Sequence, residues 1–247
     1  MPPEPPPSPR RRALVTGGSG ELGAAICRQL ARDGHFVYVH AHRGGSLAEA
    51  LVQEICAGGG EARAICCDLT ERDAAVAAMA GVLEEGPIQI LVNNAGVHSD
   101  AVLPGMRPEQ WDRVLAVSVT GFFNVTQALL LPMIRTRWGR IVNISSITAL
   151  LGNRGQVNYA AAKGALNAAT KSLALEVASR GVTVNAVAPG IIATRMTRAF
   201  DPARIARLVP MERAGTPEEV AAVVSWLASE AAGYLTAQVI AVSGGLA

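Results

Sequence analysis

The sequence predicts an α/β fold, a doubly wound, seven-stranded parallel sheet built as a single domain. Three observations carry this. From Ala13 onward, short β-branched runs alternate with alanine-rich segments of helical period, the pattern of βαβ units. The strand runs are continuously apolar rather than alternating, as expected where helices cover both faces of a sheet. Half of the 247 residues are hydrophobic, enough for one large core or two small ones, and no internal repeat or proline/glycine linker interrupts residues 13–247.

Along the chain, Met1–Pro9 is mostly proline and offers neither ladder donors nor anything to bury. With Arg10, Arg11 and Arg12 it predicts a disordered tail over residues 1–12. The strand candidates are Ala13–Thr16, Phe36–His40, Ala62–Cys67, Ile88–Val92, Arg140–Ser145, Val182–Val187 and Gln238–Val242. Long helices are expected over Glu109–Leu131 and Gln156–Arg180. Gly190–Pro210 is irregular enough to be a mobile loop with a short helix, placed late in the chain as a lid over a substrate would be.

Composition excludes several classes of function. The formal net charge is +2, and once residues 1–12 are set aside the body carries 19 basic and 19 acidic side chains. A neutral body argues against nucleic acid as the main partner. No apolar run approaches the roughly 20 residues of a bilayer span, and the N-terminus has charge and proline where a signal peptide needs an apolar stretch. A cytoplasmic protein without a membrane partner is expected. Cys27, Cys56, Cys66 and Cys67 lack the paired spacing of a zinc site or disulfide framework and read as reduced packing residues. His35, His40, His42 and His98 lack metal spacing, so no metal is expected, and only His42 reads as more than surface or packing. Trp111, Trp138 and Trp226 read as apolar anchors.

The chemistry begins at Thr16-Gly17-Gly18-Ser19-Gly20-Glu21-Leu22-Gly23, which follows the first strand and opens a helix running on through Ala24–Cys27. Glycines let the backbone turn tightly against a pyrophosphate, and the free N–H groups and dipole of a helix N-terminus favour its charge. Such turns also occur as plain connections. Two more loops, Asp68-Leu69 after the third strand and Asn93-Asn94-Ala95-Gly96 after the fourth, belong at the carboxyl ends of neighbouring strands, where open α/β sheets bind ligands.

Tyr159-Ala160-Ala161-Ala162-Lys163 lies in a helical segment, preceded by Ser146 at the end of the fifth strand. A four-residue step puts the tyrosine and lysine on one helix face. A free phenol, with a pKa of about 10, is a sluggish acid–base catalyst at neutral pH unless a positive charge favours its phenolate. Lys163 is placed to be that charge. A chance surface pair is the bland alternative, but the chain holds only two lysines and three tyrosines, and this pair coincides with the other loops.

Taken together and in order, the glycine turn, Asn93-Asn94-Ala95-Gly96, Ser146, Tyr159, Lys163 and Pro189-Gly190 make residues 13–247 resemble the short-chain dehydrogenase/reductase family, and within it the 3-oxoacyl-carrier-protein reductases. The resemblance implies a Rossmann-like domain that transfers hydride from NADPH to a carbonyl carbon. Tyr159 would protonate the oxygen, Ser146 would donate a hydrogen bond to it, and Lys163 would lower the phenol pKa, relay the proton and bind the nicotinamide ribose. It further implies cofactor contacts from Gly17, Ser19, Gly20, Leu22, Gly23, Ala95, Pro189 and Gly190; from Asp68 and Leu69 at the adenine; from Asn93 and Gly96 on the ribose side; and from Ile192 and Thr194 at the carboxamide. His42 and Arg43 stand after the second strand, where no carboxylate is present for a ribose 2′-hydroxyl and Arg43 can pair with a 2′-phosphate. Relatives of this kind usually form homotetramers, here through the two long helices and Tyr234–Ala247. Arg137 and Arg180 match basic positions that would dock an acidic acyl carrier protein.

Two residues depart from the family pattern. Glu21 occupies the second glycine position of the turn, where a carboxylate would repel a phosphate. Ser118, seven residues after Trp111, replaces the usual catalytic asparagine but can still donate and accept in a water relay. The leading expectation is therefore reduction of a carrier-bound 3-oxoacyl thioester in fatty acid or related polyene or polyketide synthesis. The alternatives are a dehydrogenase for a free alcohol or ketone, and an inactive cofactor-binding regulatory subunit.

Overall fold

Arg12 opens the first strand instead of closing a tail. A computed structural model describes residues 10–42, 45–195, 197 and 201–247. Residues 1–9 of the expected tail lie outside these, but Arg10–Arg12 are not tail. Arg12 pairs with Phe36 in the sheet, and its guanidinium donates to Tyr38 Oη and to the carbonyls of Gly86 and Val82. Arg11 stacks on Trp138 at 4.2 Å, and Arg10 pairs with Glu61. In the sequence the three consecutive arginines read as the end of the proline-rich tail. Here each finds an aromatic face, a carbonyl or a carboxylate.

The seven expected strands are present as β1 (Arg12–Val15), β2 (Phe36–Ala41), β3 (Glu61–Cys66), β4 (Ile90–Asn93), β5 (Gly139–Ile144), β6 (Val182–Pro189) and β7 (Val239–Val242). They form one all-parallel sheet in the order β3-β2-β1-β4-β5-β6-β7. The order reverses between β1 and β4, which pair as Ala13↔Ile90 and Val15↔Val92. The turns leaving these two strands therefore emerge side by side over the crevice where such sheets bind ligands.

The helices are α1 (Glu21–Arg32), α2 (Ser46–Ala57), α3 (Arg72–Glu84), α4 (Pro108–Leu115), α5 (Gly121–Arg135), α6 (Thr148–Leu151), α7 (Val157–Val177), α8 (Pro202–Leu208) and α9 (Pro217–Ala228). Two apolar layers result, one on each face of the sheet. Ile26 and Leu30 of α1, Leu51 and Ile55 of α2 and Val220, Val224 and Leu227 of α9 pack on Val15, Val39, Val92 and Val142. Met79 of α3, Val125, Leu129 and Met133 of α5 and Val177 of α7 pack on Leu14, Leu91, Ile141 and Val184. Leu14 and Val15 point to opposite faces, the period-2 alternation of a strand covered on both sides.

The helix expected over Glu109–Leu131 spans Pro108–Arg135 and is interrupted by one wide π-turn at Ala116–Thr120. This stretch reaches a mean hydropathy of 1.8, which corrects the expectation that no segment has the length and apolarity to cross a membrane. Its Val114, Val125, Leu129 and Met133 are fully buried against the rest of the fold, as in a core helix. The helix expected over Gln156–Arg180 is α7 followed by a 3₁₀ turn, Ala178–Arg180, and it stops at Gly181 in the left-handed region at φ 75°. Only Cys27 among the four cysteines is fully buried; Cys56 and Cys66 are exposed, which corrects the reading of all four as packing residues. Both fall on the solvent side of an amphipathic element.

Candidate active site

A cleft of about 400 Å³ opens at the carboxyl ends of β1, β4, β5 and β6. Its floor is made by the turn after β1, and glycine is required there for two reasons. Gly17 has φ +62°, and a Cβ on Gly23 would stand 2.3 Å from the Gly17 carbonyl oxygen and 2.8 Å from Asn94 Nδ2. Side chains at these positions would fill the cradle. Helix α1 begins just beyond, with Gly20 at its N-cap and no side-chain cap, which leaves first-turn N–H groups for an anion.

Asn94 ties this turn to β4. Its Nδ2 donates to the carbonyls of Thr16 (2.9 Å) and Gly17 (3.1 Å), while Thr16 Oγ1 accepts from the N–H groups of Asn94 and Ala95. His40 braces it from below. Its Nδ1 accepts the Gly17 N–H at 3.0 Å, so its Nε2 carries the proton and donates to the Cys67 carbonyl at 3.1 Å. Burial holds this imidazole below its ordinary pKa. His40 was expected to be surface or packing; no sequence signal marks it, because its partners are backbone groups on two other elements.

The candidate reacting groups come from the turn after β5 and from α7. Ser146 follows β5, and its Oγ accepts from the Thr148 N–H at 3.1 Å, leaving its own proton to be donated into the cleft. Tyr159 and Lys163 share one face of α7 as their spacing predicts, with Lys163 Nζ 5.7 Å from the phenol ring centre. Lys163 is buried, and its ammonium donates to the Ile144 carbonyl at 2.8 Å. Desolvation pulls its pKa down to about 8. The Tyr159 phenol is pushed above its usual value by desolvation and by the Asp100 carboxylate, against the lowering influence of the Ser146 hydroxyl. In the resting cleft desolvation therefore outweighs any lowering by the Lys163 ammonium. The tyrosine is held protonated, as an acid should be.

Ser118 lies on the π-turn before α5, buried, its Oγ without a hydrogen-bond partner among the described residues. A Cβ on Gly96 would lie 3.7 Å from that Oγ and 3.1 Å from Lys163 Nζ, so serine and ammonium flank the same point. Wide turns of this kind recur at functional sites.

Of the expected cofactor contacts, Gly17, Gly20, Leu22, Gly23, Ala95, Gly96, Tyr159, Lys163, Pro189, Gly190, Ile192 and Thr194 line the cleft. Others do not. Ser19 is on the turn but outside the lining. Asn93 turns inward, its amide donating to Thr126 Oγ1 and Asn143 Oδ1, because the last residue of a strand alternates to the buried face; its neighbour Asn94 takes the cleft side. The Leu69 side chain belongs to the apolar core. His42 Nε2 meets Asp68 Oδ2 at 3.0 Å beyond β2 and β3, outside the deep part of the cleft. Arg43 lies outside the described residues.

Arg137 and Arg180 are neighbours, since a Cβ on Gly181 would stand 2.2 Å from the Arg137 carbonyl oxygen. Both precede strands, however, and so sit at the amino end of the sheet. The cleft is at the carboxyl end, roughly 20 Å away along a six-residue strand. Sequence proximity to Ser146 and to the helix of Tyr159 ignored strand direction. Neither arginine stands at the entrance of its own protomer.

The cleft lining also includes His98, Glu21 and Arg195, of which only Glu21 stood out in the sequence as part of the phosphate turn. His98 lines it and approaches Asp100 at 3.4 Å. The Glu21 carboxylate accepts from the Arg195 N–H at 2.6 Å and from Arg195 Nε at 3.0 Å, and both residues line the cleft. The glycine cradle, the uncapped helix and the unpartnered Ser118 hydroxyl beside a buried ammonium fit a dinucleotide carrying a nicotinamide.

A short chain dehydrogenase family model matches residues 11–204. The chain is 42% identical over 246 residues to the 3-oxoacyl-[acyl-carrier-protein] reductase MabA of Mycobacterium tuberculosis, covering 98% of this chain and 94% of that protein. It is 44% identical to the 3-oxoacyl-[acyl-carrier-protein] reductase FabG of Aggregatibacter actinomycetemcomitans, over 94% of this chain and 98% of that one. It is 42% identical to the nodulation protein G of Azospirillum brasilense, over 95% and 97% of the respective chains.

Proposed function

The chain belongs to the short-chain dehydrogenase family, and from that premise we propose that it is an NADPH-dependent reductase converting a 3-oxoacyl thioester on an acyl carrier protein to the 3-hydroxyacyl thioester. The observation that carries the proposal is the convergence of Ser146, Tyr159 and Lys163 on the cleft at the point where the strand order reverses. The substrate class rests on the names of the reductases that the chain resembles over nearly its whole length.

A bound reduced nicotinamide supplies the hydride. The chain's own residues supply the rest. Gly17, Gly20, Leu22 and Gly23 would hold the cofactor's pyrophosphate at the first turn of α1, and Ile192 and Thr194 would meet its carboxamide. Ser146, already an acceptor from Thr148, donates a hydrogen bond to the substrate carbonyl oxygen and keeps its proton. Tyr159 gives that oxygen its proton as negative charge develops on it, a contribution of roughly 10²–10⁴-fold. Lys163, charged below a pH of about 8, stabilises the phenolate left behind. Ser118, unpartnered beside the ammonium, is placed to pass a proton onward through water.

The reading includes fatty acid synthesis, or a related polyene or polyketide route, as the process, the cytoplasm as the location, and a homotetramer as the assembly. Exposed Phe123, Leu131, Leu175 and Tyr234 lie on the helices and the C-terminal stretch assigned to that assembly. The test is a steady-state assay of carrier-bound 3-oxoacyl thioesters against free ketones, with NADPH and NADH in parallel. Faster turnover of the thioesters with NADPH supports the reading; a preference for free ketones overturns the substrate class.

A further inference from the structure

Glu21 sits in the first turn of α1, where a dinucleotide's negative charge must be held, and an unneutralised carboxylate there repels a phosphate. Both of its oxygens are taken by a single residue. The Arg195 backbone N–H donates to Oε2 at 2.6 Å and Arg195 Nε donates to Oε1 at 3.0 Å. Two consequences follow from the shape of a guanidinium. The carboxylate's charge is neutralised where the anion would arrive, and the two terminal guanidinium nitrogens have no hydrogen-bond partner among the described residues. The arginine side chain is 69% exposed and the glutamate 33%, so the fork's far edge is open to the cleft that both residues line.

We propose that Arg195 is a pyrophosphate-binding residue of this chain and that Glu21 is its positioning residue: the carboxylate fixes Arg195 through the backbone N–H and Nε so that the terminal nitrogens meet a phosphate oxygen. The proposal rests on the nicotinamide-cofactor reading above. A planar fork with one edge anchored is suited to phosphate, because less rotamer freedom is lost per bond formed. The residue pair also spans two parts of the cleft. Arg195 directly follows Thr194 in the segment after β6, so fastening it to the glycine turn sets the carboxamide side of the cleft against the pyrophosphate side. The carboxylate that would obstruct an anion becomes the holder of the group that receives it.

The experiment is calorimetric or fluorescence titration of the full chain with NADPH, without substrate, for wild type, Arg195→Ala, Glu21→Gln, Arg195→Lys and Glu21→Gln/Arg195→Ala. Loss of the arginine alone should weaken binding by roughly tenfold or more, since it removes a charge-assisted donor and exposes the carboxylate. Glu21→Gln, whose amide keeps only one of the two acceptor oxygens, should weaken binding by roughly threefold, Arg195→Lys should fall between wild type and Arg195→Ala, and the double variant should bind at least about threefold more tightly than Arg195→Ala. The unfolding midpoint without cofactor should be unchanged in all four variants, because an exposed ion pair adds little stability. Wild-type affinity in Arg195→Ala, or a double variant no tighter than Arg195→Ala, overturns the assignment while leaving the cofactor reading in place. A wild type that binds neither NADPH nor NADH overturns both.

Discussion

The Lys163 ammonium donates a hydrogen bond to the Ile144 carbonyl oxygen across 2.8 Å, buried at the base of the cleft. One carbonyl does not replace water around a charge, so the ammonium releases its proton at about 8 in place of its ordinary 10.5. The charged form, present below about 8, is the one that supports proton donation by Tyr159. In the reductive direction kcat/KM should therefore be flat below that pH and fall as pH rises through it. Stability should move the other way between about 8 and 10.5, because there the unfolded chain binds a proton that the folded chain has released. A pH–rate profile rising through this range would contradict the role given to Lys163.

Ser118→Ala should cost activity less than loss of Tyr159, because its hydroxyl flanks the ammonium rather than the reacting carbonyl. A loss of roughly fivefold in kcat is expected, the worth of one neutral hydrogen bond in a relay. Stability should hardly change, since the Oγ has no partner to lose. A loss equal to that of a Tyr159 variant would place Ser118 on the carbonyl.

His40→Ala should leave the Gly17 N–H without its acceptor, at a cost of about 1–3 kcal/mol in chemical denaturation. The imidazole also makes stability depend on pH. Its folded pKa lies below the ordinary 6.5, so from 6.5 downward the unfolded chain takes up a proton that the folded chain refuses, and stability falls. His35, likewise lowered by burial, adds to the same slope. Denaturation curves between neutral and mildly acidic pH should show a shallower loss in the His40 variant.

Gly23→Ala should weaken NADPH binding by more than roughly tenfold, because the new methyl would press on the Gly17 carbonyl oxygen at 2.3 Å. Gly20→Ala, whose Cβ would meet the same oxygen at an ordinary 3.4 Å, should bind within a factor of about three of wild type. Equal affinities for the two variants would mean that the cofactor does not lie on this turn.

The strands, the helix alternation and the Ser146, Tyr159 and Lys163 constellation were legible in the sequence because each is written in local pattern or fixed spacing. What was not legible depends on direction and on distant partners. Asn93 and Asn94 are indistinguishable as letters, and only the pleat decides which faces the cleft. Arg137 lies nine residues before Ser146, yet a strand carries those residues to opposite ends of the sheet. The π-turn that buries Ser118 carries no composition signal, and the partner of Glu21 is 174 residues away.

The most direct test of the proposed chemistry is Tyr159→Phe, assayed on a carrier-bound 3-oxoacyl thioester alongside a titration of NADPH. The phenol sits half-buried next to Ser146 and is held protonated by its surroundings. Removing one oxygen should lower kcat by roughly 10²–10⁴-fold and leave the NADPH dissociation constant nearly unchanged, since the ring and its place on α7 remain. A variant that turns over within a few-fold of wild type would contradict the account, because some other group would then be protonating the carbonyl.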